Sequence, residues 1–224
     1  MAAVGRKQMS MNNQLLKKVC ALSVGLVTGF LSSSCTMAPS ADGMIFAAAG
    51  SSWTYERRES GSFGDGTAQQ TNSALGERTW QGRRVWATET PQGIRLADLK
   101  TGDWLAVVMG DFTVASWEPS LGRDWPLTVG KTFSWNYRFV NHVLGKSTEI
   151  RSTTTVESYE DITVTAGTFK AFKMRYIDSQ GLESVQWYNP NIGASVKFQN
   201  KRNSNFPAGP GTQDLELLSY SFKK

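Results

Sequence analysis

Histidine occurs once in the 224 residues and cysteine twice. A hydrolase of the Ser-His-Asp or Cys-His type would have to use His142, the single histidine. His142 sits in Val140-Asn141-His142-Val143 at an expected strand end, where a surface histidine is the plain reading. A structural zinc site takes about four ligands, mostly Cys and His, and one histidine with two cysteines falls short of that. Two cysteines also exclude a disulfide-rich scaffold. No Gly-rich segment leads from a strand into a helix, so nucleotide binding has no support. Nothing among the 19 acids marks a calcium site or a glycosidase pair, Glu160-Asp161 being too small a cluster. The expectation is a protein without metal or cofactor that is not an enzyme.

Charge is also scarce, at 19% of residues, while aromatics reach 11% and include eight Trp. A chain of this composition folds rather than staying disordered. The formal net charge of +5 invites a nucleic-acid reading, but its distribution removes it. Arg6, Lys7, Lys17 and Lys18 are the only charged side chains before Asp42. They precede an apolar run of 13 residues, Val19–Leu31, and then Ser32-Ser33-Ser34-Cys35. A basic start, a short apolar stretch and small residues at its exit describe a secretory signal peptide. The run spans roughly 20 Å as a helix, too short for a membrane span. Without residues 1–34 the chain has 20 basic and 19 acidic residues, a net of +1. No nucleic-acid partner is expected.

Residues 52–224 read as one all-β domain. Phe133, Trp135, Tyr137 and Phe139 alternate with Thr132, Ser134, Asn136 and Arg138. Phe172, Met174 and Tyr176 alternate with Lys173 and Arg175, and Val196 and Phe198 with Lys197. A period of two with one apolar face is the pattern of antiparallel strands. Turn signals separate the runs at Gln81-Gly82, Lys100–Asp103, Gly145 and Gln180-Gly181. The phase slips near Leu217-Leu218, which predicts a bulge. The expectation is a single antiparallel meander of about ten strands, forming an open or closed barrel-like sheet. Gly61–Ser73 and Arg202–Gln213 read as irregular loops.

The segment ending at Cys35 resembles a bacterial lipoprotein signal. Ser33, Ser34 and Cys35 match the lipobox, while Ser32 stands where Leu is usual and Leu31 lies one place early. The resemblance implies that Cys35 is acylated and becomes the first residue of the mature protein. Several acyl chains would hold it firmly, since each buried CH₂ contributes about 0.8 kcal/mol. Thr36 rather than Asp after the cysteine implies the outer membrane, on the periplasmic side. The other reading is plain secretion with cleavage further on. The expected organisation is a signal peptide at 1–34, a lipidated start and tether at 35–51, and the β domain at 52–224.

Three further segments carry a second resemblance. They are Trp125–Lys131 (WPLTVGK), Thr163–Lys173 (TVTAGTFKAFK) and Trp187–Lys197 (WYNPNIGASVK). Their order resembles that in a broad group of exported bacterial β-sheet proteins, including TapB-like proteins. The resemblance implies a shape and a compartment, and transfers no activity. Each motif also has a structural explanation: a tight turn at Ala166-Gly167, a strand end at Pro190 and a sharp re-entry at Gly193.

Eight Trp in a domain of this size exceed what a small core normally needs, and they either fill the core of a twisted sheet or in part line a groove for a ligand. Trp135, Tyr137, Tyr176 and Trp187 are the candidates, because their strands flank the familiar motifs. The expected function is a non-catalytic binding module for a lipid-like or amphipathic envelope ligand. The alternative is a scaffold that docks another envelope protein.

Overall fold

A computed structural model describes residues 39–223. Cys35 and the signal segment lie outside the described residues. The strands are β1 (Ser40–Ala41), β2 (Ser52–Gly61), β3 (Gly66–Trp80), β4 (Arg83–Thr90), β5 (Gly93–Asp98), β6 (Trp104–Met109), β7 (Phe112–Leu121), β8 (Leu127–Thr128), β9 (Thr132–Asn141), β10 (Lys146–Val164), β11 (Gly167–Asp178), β12 (Leu182–Asn189), β13 (Ala194–Arg202) and β14 (Gly211–Ser221). Twelve of them close into one barrel in the order β10, β11, β12, β13, β14, β2, β3, β4, β5, β6, β7, β9, with β9 returning to β10. Each neighbouring pair is antiparallel. Closure leaves the barrel without an unpaired edge strand, the feature that invites association between sheets.

Local sequence explains most of the turns. Trp80 pairs with Arg83, leaving Gln81 and Gly82 as a two-residue loop with φ of 48° and 77°. Positive φ at both positions is the type I′ turn, whose twist matches that of the flanking strands. In the β5–β6 turn, Asp98 Oδ1 accepts hydrogen bonds from the N–H groups of Lys100 and Thr101 at 2.8 and 3.0 Å. The predicted phase slip is a bulge between Leu217 and Ser219 opposite β2.

The barrel has twelve strands against the expected ten, the additions being β2 and β7, and one polar stretch expected as a loop lengthens β3. Gly66–Ser73 forms the first half of β3 and pairs with β2, with Thr54 Oγ1 2.8 Å from Thr71 Oγ1. Its backbone groups are satisfied by the ladder, so it needs no apolar side chains to hold its place. Arg202–Gln213 contains a true loop, but its ends belong to β13 and β14.

Three groups of buried side chains fill the fold. One gathers Trp53, Tyr55, Val196, Leu215 and Leu217. The second gathers Leu127, Phe133, Phe172, Met174 and Tyr188. The third lies around β4–β6 with Val85, Leu96 and Val108. Residues 40–51, expected as part of a tether, lie against the barrel. Ala41 pairs with Leu127, Phe46 stacks on Trp86 at 5.0 Å, and Ala47 packs on the first group. Gly50 N donates to Ala74 O at 2.8 Å, which joins this segment to β3.

Candidate functional site

The barrel interior can be located from cross-strand register. Tyr55 is buried, and its hydroxyl crosses β14 to donate to Ser195 O on β13 at 2.6 Å. A side chain spans the neighbouring strand in this way only from the concave face. Following the register from Trp53 and Asn72 through Ala74 and Thr88 reaches Arg95 on that same face. From Arg95 the register continues to Val107 and Ala115. Ala97 lies opposite Trp104, and Trp117 lies opposite Phe139.

These residues form an inward row of rings. Trp104 and Trp117 meet edge to face at 5.7 Å, and Trp117 meets Phe139 at 5.7 Å. None of the three is fully buried, and Trp104 is 37% exposed. The guanidinium of Arg95 lies 4.8 Å from the centre of the Trp104 ring, within cation–π range. A second arginine, Arg123, stacks 4.3 Å from the ring centre of Tyr188. Arg123 Nη2 donates to Gln186 Oε1 at 3.3 Å, and Nη1 approaches Met44 Sδ at 3.9 Å. Both arginines are partly exposed by surface area, yet burial is the main influence on each and lowers its pKa. Burial likewise raises the pKa of Tyr55, against an opposing influence from Arg95.

The interior is polar as well as aromatic. Asn72 Oδ1, Arg123 Nε, Trp135 Nε1 and Ser152 Oγ are buried without a hydrogen-bond partner among the described residues. Buried polar atoms are normally paired, so each unpaired one suits water or a polar atom of a ligand.

The four predicted aromatic residues divide. Trp135, Tyr137 and Tyr176 share the inward face, through the pairs Trp135–Ser152 and Tyr176–Thr154 and the alternation along β9. Tyr137 and Tyr176 are joined, with hydroxyls 2.8 Å apart, and Tyr176 also donates to Asp178 Oδ2 at 3.1 Å. Burial raises the pKa of both phenols. Trp187 is on the opposite face of its strand from Tyr188. It is paired across the sheet with Lys173 and Lys197, with both ammonium groups within 6 Å of its ring, and it donates to Glu160 Oε1 at 2.8 Å. An open groove of ≈ 550 Å³ is lined by Ser134, Asn136, Arg151, Thr153, Ile177 and Asp178 among others, and by none of these four aromatics. Trp104, Trp117 and the two arginines escaped the sequence reading, which places Phe139 on the apolar face of its strand. Bulges in β5, β6 and β7 hide their common face.

His142 Nε2 lies 3.0 Å from Ser116 Oγ, the nucleophile–base contact of a hydrolase. The nearby carboxylate, Glu118, accepts from Ser116 at 3.5 Å instead of orienting the imidazole. Among the described residues no carboxylate is hydrogen-bonded to the other ring nitrogen. No group of three metal-ligating side chains occurs among them either.

The three motif segments have structural roles. Trp125 Nε1 donates to Thr101 O at 2.9 Å, and Leu127 is fully buried. Ala166 N donates to Leu217 O at 3.0 Å, tying the β10–β11 turn to β14. Asn189 Nδ2 donates to Lys170 O at 2.9 Å, while its Oδ1 accepts from Asn191 N and Ile192 N.

No family model matches the chain, and no curated protein matches it. Among solved structures, the chain is similar to an exported protein with a YmcC-like fold from Bacteroides fragilis. The identity is 13%, over 81% of this chain and 100% of that one, with a TM-score of 0.48. It is also similar to a protein described as a lipoprotein from Parabacteroides distasonis, at 12% identity over 81% and 100% of the two chains, TM-score 0.45. A third is the lipoprotein YmcC from Escherichia coli, at 9% identity over 75% and 83%, TM-score 0.41.

Proposed function

We propose that this protein is an envelope lipoprotein, held by an acylated Cys35, whose barrel binds an apolar or amphipathic ligand without transforming it. The single observation that carries the binding reading is the inward row Trp104–Trp117–Phe139, whose rings are left partly uncovered. Aromatic faces with a few placed polar groups are the usual lining of small-molecule sites. Native mass spectrometry of the purified protein should find a co-purifying small molecule. Replacement of Trp104 and Trp117 by Ala should abolish that species, and a ligand-free spectrum from cell-derived protein would end the reading.

The anchor rests on the segment ending at Cys35, with outer-membrane placement following from Thr36. Labelling cells with an alkyne fatty acid should tag the wild type and not Cys35→Ser. Fractionation should place the tagged protein in the outer membrane.

A second reading, docking of another envelope protein, is favoured by four exposed apolar side chains. Met109 and Phe112 flank the β6–β7 turn, and Val143 and Leu144 form the neighbouring β9–β10 turn. Photocrosslinking from position 144 in intact cells should trap a discrete partner, and recovery of monomer alone would count against it.

A further inference from the structure

Among the described residues, no ion pair involves Arg95 or Arg123, although most arginines nearer the surface are paired. An enclosed guanidinium is costly unless something satisfies it. Each of these two has an aromatic ring under its flat face, which leaves the N–H edges free to donate in the plane. The Arg95 side chain makes no hydrogen bond among the described residues, and Arg123 has a buried Nε without a partner. Burial lowers the Arg95 pKa, Tyr55 opposes it, and Arg123 adds a smaller lowering by repulsion. The acid that acts on Arg123, Asp103, is itself disfavoured as an anion by burial, and its Oδ1 is unpartnered. Two guanidiniums, each over an aromatic ring, without a carboxylate ion-pair partner and with donors to spare, suit an anion.

We propose that Arg95 and Arg123 seat an oxyanion, a carboxylate or a phosphate, at the head of the ligand whose apolar part lies along Trp104, Trp117 and Phe139. This deepens the binding reading and rests on it. Three probes of one chain length separate the two claims: dodecanoate, dodecyl phosphate and dodecanol, each titrated into the purified protein with tryptophan fluorescence as readout. At least one anion should bind about tenfold or more tightly than the alcohol. Whichever anion binds better identifies the head group. Arg95→Gln and Arg123→Gln should each remove that preference while leaving dodecanol affinity in place, and Arg95→Lys should retain part of it. The unfolding temperature of the unaltered protein gives a check that needs no variant, since the anion should raise it more than the alcohol does. Equal affinity for all three probes would overturn the oxyanion seat and leave the binding reading standing. Binding of none would overturn both.

Discussion

Tyr137 illustrates how far a single side chain could be read in advance. Alternation along β9 placed it on the apolar face, and it is 4% exposed there. Its hydroxyl has one protein partner, Tyr176. Tyr137→Phe should therefore cost about 1 kcal/mol, read from a urea midpoint with unchanged slope. Phe172 is fully buried, and Phe172→Ala should cost about 3–5 kcal/mol in the same measurement. Gly193 was expected to permit a sharp re-entry, and its φ is 63°. A Cβ there would also overlap the backbone carbonyl of Ile45, a contact no local pattern announces. Gly193→Ala should destabilise by about 1–2 kcal/mol or more, since both the backbone conformation and the close approach oppose it. Trp187 shows the limit of such reading. Alternation sets it opposite Tyr188 but gave no sign that Tyr188 takes the inward face and that Trp187 is held outside by Glu160 and two lysines.

At the scale of elements, hairpins with alternating faces and glycine turns were legible. Those signals are local, and the backbone obeys them wherever the strand lies. The polar half of β3 was not legible, because its stability comes from the ladder to β2 and leaves no mark in its own side chains. Residues 40–51 were hidden for a related reason, since small and scattered apolar residues look like a linker until a surface is there to receive them. Phe46→Ala should lower stability by about 1–3 kcal/mol if the stack on Trp86 contributes as an ordinary partly buried ring contact. An unchanged urea midpoint would mean that this segment merely rests on the barrel.

For the whole molecule, charge matters more through its pairing than through its total. Hydrogen bonds from Arg175, and then Lys173, hold the Glu157 carboxyl below the usual glutamate value. Those from Ser158 and Trp187 do the same for Glu160. A carboxyl with a lowered folded-state pKa stabilises the fold above its unfolded value and loses that contribution as pH falls through the folded one. Urea midpoints should therefore fall as the pH is lowered from about 5 towards 2, with a change in tryptophan emission as Glu160 releases Trp187. A flat profile would contradict these pairings. The sequence by itself determined the all-β class, the hairpins, the phase slip at Leu217 and the inward faces of β9 and β11, because period and turn chemistry act between near neighbours. Only the tertiary structure decided that the sheet closes, that residues 40–51 pack against it, and that Arg95, Trp104, Trp117 and Arg123 face one interior. Bulges between neighbouring strands hide the face that Arg95, Trp104 and Trp117 share, and Arg123 joins it only where its loop meets Tyr188 and Gln186 on β12.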